Sequence, residues 1–298
     1  MNMIENPRLG LPRKWEIVYF VTSRCNNNCG HCWSKNNFLG KEVGIEHHRR
    51  FFEGIDANRL SCIKLSGGEC SLYNHLPDLI SLIRSYVPNA VPLILFSNGR
   101  FLFDASGCVM DVHTIMDQLS GSNCVELHVS VDEYHIECFA KSKKVSLDLA
   151  ALEYNKCVRE LIGYSEKSDH VTVKFKLHCN IGRSLWHRHN LFQGIDEDAW
   201  KKYFIVTEGL IKAGNAQEIK ESTEIKESDQ WSAFVLNGVT FEASSNNHTR
   251  DIYDYQGKKL FLNESDKNDG VVVLGWWNLI NHKFYGGTID EFKQFLSR

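Results

Sequence analysis

Through residue 180, apolar and polar positions follow two periods in turn. Segments 16–22, 62–66 and 91–97 are short β-rich apolar runs, each leading into a polar or glycine-rich turn. Segments 124–131 and 171–180 alternate with period two and predict a fourth and a fifth strand. Helical spacing fills the intervals. Leu76, Leu79, Ile80 and Ile83 fall at i, i+3, i+4, i+7 and stop before Pro88, and Val112, Ile115, Met116 and Leu119 repeat the spacing up to Gly121. Leu147, Ala151, Tyr154, Val158 and Leu161 mark the face of a third helix, and a sixth strand with its turn is placed at 203–216.

Strands alternating with helices imply right-handed crossovers and a parallel sheet. The expected fold is α/β: a partial (β/α)6 parallel barrel with a small α+β C-terminal extension. Its chemistry belongs at the C-terminal ends of the strands. Segment 217–230 is almost all polar and charged, which reads as a solvated connection. Short β-rich runs follow at 231–236, 259–262 and 271–277, with a closing helix at 288–296. The expected organisation is an N-terminal extension over 1–15, a core domain over 16–216 and a C-terminal cap over 217–298.

Composition narrows the function classes. With 298 residues, 43% of them hydrophobic, the chain can bury one large core, which excludes a disordered or fibrous protein. A formal charge of -3 with dispersed Lys and Arg gives no electrostatic case for a nucleic-acid partner. No apolar run is long enough to span a bilayer, and residues 1–14 lack an export signal, so a cytoplasmic protein with no membrane partner is expected. Ten cysteines in such a chain read as reduced thiols, three of them as ligands.

Those three are Cys25, Cys29 and Cys32, crowded into one loop directly after the first strand and followed by Trp33. Three thiolates can hold three corners of a four-iron, four-sulfur cubane and leave one iron open. The other reading is a zinc site, for which His31 or His47 supplies a fourth ligand. The C-x-x-x-C-x-x-C-aromatic pattern resembles the signature of the radical S-adenosylmethionine superfamily, and further motifs follow in order. Gly67-Gly68-Glu69 closes the second strand like the family's GGE motif, Ser97-Asn98-Gly99 resembles its third-strand turn, and Ser130 and Asp132 resemble its ribose contacts. Ala213-Gly214-Asn215-Ala216 resembles the sixth-strand turn near the adenine, with Asn215 where an Arg is frequent.

The resemblance, covering residues 16–216, implies a [4Fe-4S] cluster on Cys25, Cys29 and Cys32. It implies S-adenosyl-L-methionine as a cofactor, contacted by Trp33, Gly67, Gly68, Glu69, Ser97, Asn98, Ser130, Asp132, Asn180 and Ala216. It also implies a flavodoxin- or ferredoxin-type electron donor, and reductive cleavage to a 5′-deoxyadenosyl radical that abstracts hydrogen from a peptide or small-molecule substrate. The Arg that members place soon after the fourth strand is absent from 133–140, where Lys141, Lys143 and Lys144 are substitutes. No cysteine follows Cys179, so a single cluster without auxiliary-cluster ligands is expected.

If Ser130 and Asp132 face the cofactor, period-two alternation sends Glu126 and His128 into the barrel, along with Lys174, Lys176 and His178 of the fifth strand. Lysines there require partners, either Glu126 in a structural ion-pair network or a polar, anionic substrate. His128, Lys174 and Lys176 are therefore candidate catalytic residues, and Cys138 is a candidate hydrogen-atom donor. Trp276 and Trp277 read as core or as pocket lining, and His187 and His189 as a solvated loop or a metal pair. Two non-enzymatic classes remain open: a cluster-bearing redox sensor or regulator, and a zinc-stabilised interaction module.

Overall fold

The computed structural model describes residues 15–22, 24–32, 44–53, 55, 57–179, 192, 194–208, 231–236, 239–243, 249–254, 259–261, 273–278 and 283–285. The core follows the βα alternation: β1 (Trp15–Thr22), α1 (Ile45–Glu53), β2 (Leu60–Gly67), α2 (Leu76–Tyr86), β3 (Leu93–Ser97), α3 (Val112–Ser120) and β4 (Val125–Ser130). Two helices, α4 (Glu133–Lys143) and α5 (Leu147–Ser165), then lead to β5 (Val171–Cys179), α6 (Glu197–Tyr203) and β6 (Phe204–Glu208). β1 to β6 are neighbours in sequence order, all parallel, so every strand delivers its C-terminal end to the same rim. This is the α/β fold with the parallel sheet of a partial barrel.

Alternation along the strands sorts the side chains. Ile17, Tyr19, Ile63, Leu65, Leu93, Leu95, Leu127, Val129, Val173 and Phe175 are buried against the apolar faces of α2, α3 and α5. A fully buried Leu or Phe is worth roughly 1.5–3 kcal/mol, so this layer is the main source of stability. The opposite face of β2 to β5 carries Lys64, Phe96, Glu126, His128, Ser130, Lys174 and Lys176, most of them half-buried. A hydrated lumen results.

The described strands of the tail fall into two sheets. β7 (Trp231–Leu236) pairs with the outer edge of β1 in parallel, Trp15 opposite Trp231 through Phe20 opposite Leu236. β11 (Val273–Asn278) continues the sheet in parallel beyond β7, and β12 (Lys283–Tyr285) closes it antiparallel, giving nine strands. β8 (Val239–Ala243), β9 (Thr249–Asp254) and β10 (Lys259–Phe261) form a separate antiparallel sheet. A strand edge left open exposes a row of unpaired N–H and C=O groups, and β7 removes that edge from β1. The helix expected at 288–296 lies outside the described residues.

Candidate functional site

The three-cysteine loop leaves the C-terminal end of β1 and is held by backbone bonds to its neighbour. Gly68 N–H donates to the Thr22 carbonyl at 2.8 Å, and Glu69 N–H donates to the Arg24 carbonyl at 2.7 Å. Gly67 makes that approach possible. Its φ is +129°, and a Cβ there would lie 2.3 Å from the Thr22 carbonyl oxygen. The glycine therefore admits a neighbouring strand, whereas the sequence pointed to the approach of a ligand.

Glu69, only 1% exposed, caps the short 3-10 turn that follows and ties it to the end of β3. Its Oε1 accepts from Ser71 N (3.1 Å), Ser71 Oγ (2.7 Å) and Ser97 Oγ (2.8 Å), and its Oε2 accepts from Asn98 N (2.7 Å). The Ser97-Asn98-Gly99 turn reaches the cysteine loop in its turn: Asn98 Nδ2 donates to Asn26 Oδ1 at 2.8 Å. Arg100, just beyond, donates from Nη1 to the Asn26 carbonyl and, at 2.7 Å, to Asn27 Oδ1. Tyr154 on α5 donates to the Asn98 carbonyl from below at 3.3 Å.

The opposite wall is α4. Asp132 is its N-cap, fully buried, accepting from His135 N–H at 3.1 Å and pairing with His135 Nδ1 at 2.8 Å, while its Oδ2 lies 3.8 Å from His31 Nε2. Burial pulls the His135 imidazole down in pKa, and the charge and hydrogen bond of Asp132 more than reverse this, leaving it raised. Ser130 stands half-buried at the end of β4.

Cys25, Cys29 and Cys32 are free thiols, with Cys29 buried and the other two half-buried. Desolvation pushes the Cys25 thiol up to about 11, with further upward pushes from Glu69, Cys32 and Cys138. The Cys29 thiol hydrogen-bonds Cys138, which raises Cys29 and lowers Cys138; burial adds to the rise. Asn28 N–H also donates to Cys138 Sγ, at 3.1 Å. Cys138, on α4, thus lies against the cysteine loop.

Inside the barrel, His128 Nε2 hydrogen-bonds Glu126 Oε1. A carboxylate only accepts, so Nε2 carries the proton and Nδ1 is an acceptor. His128 is 7% exposed, and its Nδ1 meets no donor among the described residues. Lys176 Nζ sits 4.6 Å from the centre of the Phe96 ring, and Lys174 Nζ donates to the Lys202 carbonyl. The structure brings His128, Glu126, Lys174 and Lys176 together, as the alternation implied. Trp33, Asn180 and Ala216 lie outside the described residues.

Burial lowers the pKa of His128 despite Glu126, with Lys176 and Lys64 adding to the fall, and the His128 hydrogen bond lowers that of Glu126. Both folded values lie below the unfolded ones, so both groups stabilise the fold at neutral pH and lose that contribution on acidification. Stability is expected to fall as pH drops below the ordinary imidazole value of 6.5 and to fall further below the carboxylate value of 4.5. Denaturant midpoints across pH check this. Lys176→Met, which removes a repelling cation, is expected to raise the His128 titration midpoint read by NMR; an unchanged midpoint would show that the two groups do not sense each other.

Sequence reasoning passed over Asn26, Asn27 and Arg100, the clasp of the loop. The signal for the loop was a run of asparagines between the cysteines, amides suited to short-range hydrogen bonding. It also missed α4, although an Asp N-cap, acidic Glu133 in the first turn and basic Lys141 and Lys143 in the last are helix-boundary signals.

A profile described as the Radical SAM superfamily matches residues 19–168. GTP 3′,8-cyclase of Synechococcus elongatus is 24% identical over 169 residues, which cover 51% of this chain and 48% of that protein, so the chain spans about half the length of this curated relative. Among solved structures, SuiB of Streptococcus suis bound to S-adenosylmethionine is similar with a TM-score of 0.41 at 10% identity, over 80% of this chain and 60% of the other. Methylornithine synthase gives 0.44 at 11% identity over 75% and 65% of the two chains. The FeFe-hydrogenase maturase HydG from Carboxydothermus hydrogenoformans gives 0.43 at 15% over 75% and 54%.

Proposed function

The chain belongs to the radical SAM superfamily, and from that premise we propose an enzyme that uses S-adenosylmethionine to remove a hydrogen atom from a polar, anionic substrate bound in the barrel lumen. The observation that carries the reading is the single loop presenting Cys25, Cys29 and Cys32 as free thiols at the C-terminal rim of the sheet. The donor set fits a four-iron, four-sulfur cluster. Thiolates are its ligands, three are offered, and desolvation keeps Cys25 protonated until a metal displaces the proton. When bound, the cluster with S-adenosylmethionine supplies a 5′-deoxyadenosyl radical, a carbon radical able to abstract hydrogen.

The chain's own residues position these parts. Thr22, Arg24, Asn98 and Arg100 fix the loop. Glu69 Oε2 carries one donor where Oε1 carries three, so Oε2 keeps an acceptor position suited to the methionyl ammonium. Asp132 Oδ1 caps α4 and holds His135, and Asp132 Oδ2 with Ser130 suits the ribose hydroxyls.

For the substrate, His128 Nδ1 offers a buried acceptor, and an acceptor left unpaired in such a place costs about 1–3 kcal/mol. A substrate hydroxyl or amine offsets that cost. Lys174 and Lys176 on the same face suit a carboxylate or phosphate on a small biosynthetic metabolite or on a peptide side chain. Members of the superfamily need a reductant, and we assign that role to a flavodoxin- or ferredoxin-type protein.

Anaerobic reconstitution tests the proposal. The expected result is about four irons and matching sulfide per chain, with 5′-deoxyadenosine released from S-adenosylmethionine under dithionite. A chain that stays iron-free, or that holds iron without releasing the nucleoside, overturns it.

A further inference from the structure

Overlapping the three-cysteine loop lies a second set of metal donors, which shares Cys29 with the proposed cluster ligands. The Sγ of Cys29 and a ring nitrogen of each of His31 and His135 all lie within 4.8 Å of one another. The two imidazoles meet edge to face, with centroids 4.8 Å apart. Zinc bonds of 2.3 Å to sulfur and 2.0–2.1 Å to nitrogen place tetrahedral ligands about 3.5 Å from each other, so small side-chain rotations bring these donors onto one ion. Cys138 stands outside that group of three but hydrogen-bonds Cys29 from α4, so a rotation of its side chain offers a fourth donor.

Asp132 completes the arrangement. Buried behind both rings, it holds His135 Nδ1 at 2.8 Å and stands 3.8 Å from His31 Nε2. Histidine ligands commonly present one ring nitrogen to the metal and the other to a carboxylate, which fixes the ring's orientation. Two histidines sharing one buried carboxylate, next to two thiols, is the environment of a metal centre. A surface ion pair has no such need.

We propose that Cys29, His31, His135 and Cys138 form a mononuclear site for zinc or a similar borderline divalent cation, and that Cys29 belongs to either this site or the cluster, never both. Two thiolates and two neutral imidazoles suit zinc, and carboxylate-preferring magnesium or calcium gains nothing here. Binding of one divalent ion releases the two thiol protons to solvent, so the net charge of the site is unchanged and no oxidant or reductant enters. A chain filled with zinc lacks the central thiolate of the loop and cannot build the cluster; removing the ion restores that ability. The site therefore couples metal supply to cofactor loading.

Opposed variants of the full chain test it. Zinc is added to the metal-free protein under anaerobic, reducing conditions, excess is removed by desalting, and bound metal is counted; cobalt serves as a spectroscopic substitute. One ion per chain is expected, with tetrahedral ligand-field bands and thiolate-to-cobalt charge transfer. Cys25→Ala should retain zinc while losing the four-iron cluster. His135→Ala should do the reverse, weakening zinc at least about tenfold while still taking up iron and sulfide. His31→Ala repeats that test should His135→Ala fold poorly. Zinc-loaded wild type should take up no iron until a chelator is applied.

Zinc lost in Cys25→Ala but kept in His135→Ala would place the ion on the three-cysteine loop and overturn the inference, as would no retained zinc at all. Neither result touches the cluster reading, which the iron and nucleoside measurements decide separately.

Discussion

Cys29→Ala is expected to reduce bound iron from about four per chain to near zero and to abolish release of 5′-deoxyadenosine. The substitution removes the middle of three ligands, and two thiolates from one loop cannot retain a cubane. The loss should not come from unfolding. Cys29 is buried, yet it is a small side chain whose main partner is another thiol, and the loop's backbone bonds to Gly68 and Glu69 do not involve its sulfur. A change in melting temperature of no more than a few degrees is expected, consistent with a cost of about 1 kcal/mol. Cys62→Ala and Cys157→Ala, buried in the core away from the loop, serve as controls that keep their iron. Iron and sulfide analysis decides the matter, and full iron content in Cys29→Ala would sink the ligand assignment.

Gly67→Ala should be the most damaging glycine-to-alanine change among the described residues. An alanine there must adopt a φ of +129° and place its Cβ 2.3 Å from the Thr22 carbonyl oxygen. The conformation costs about 1–3 kcal/mol and the forced separation of backbones about 1–3 more. Together these predict about 3 kcal/mol or more of lost stability, hence a fall in melting temperature of roughly 6–12 °C. The backbone that must move carries the Gly68 and Glu69 bonds to the cysteine loop, so iron retention should fall as well. Thermal unfolding with iron analysis reads both effects. Gly163→Ala on α5, where an added Cβ meets nothing, is the matched control. Equal melting temperatures for the two variants would contradict the close-packing argument.

The sequence was informative where periodicity alone decides the outcome. Leu76, Leu79, Ile80 and Ile83 form the buried face of α2, and Val125, Leu127 and Val129 the buried face of β4, because an apolar stripe must be covered whatever surrounds it. The lumen residues followed by alternation from the same strands. Less legible was anything set by a distant partner. Gly67 reads as a turn until Thr22 is seen against it, and Asp132 reads as an open carboxylate until α4 begins at the next residue. Cys138 could not be ranked above the other thiols, because its proximity to Cys29 and Asn28 depends on how α4 folds back over the loop. The pairing of the tail was illegible for a related reason: a strand that joins β1 in parallel leaves no local sequence signature.

The strand that ends in the three-cysteine loop obtains its outer neighbour from far along the chain, with Phe20 opposite Leu236. Bringing such distant segments together is among the slower steps of folding, since loop-closure entropy must be met before the contact gives anything back. Until β7 is made, the outer edge of β1 stands open. A nascent chain that has not yet reached β7 therefore carries a first strand exposed to pairing with other molecules.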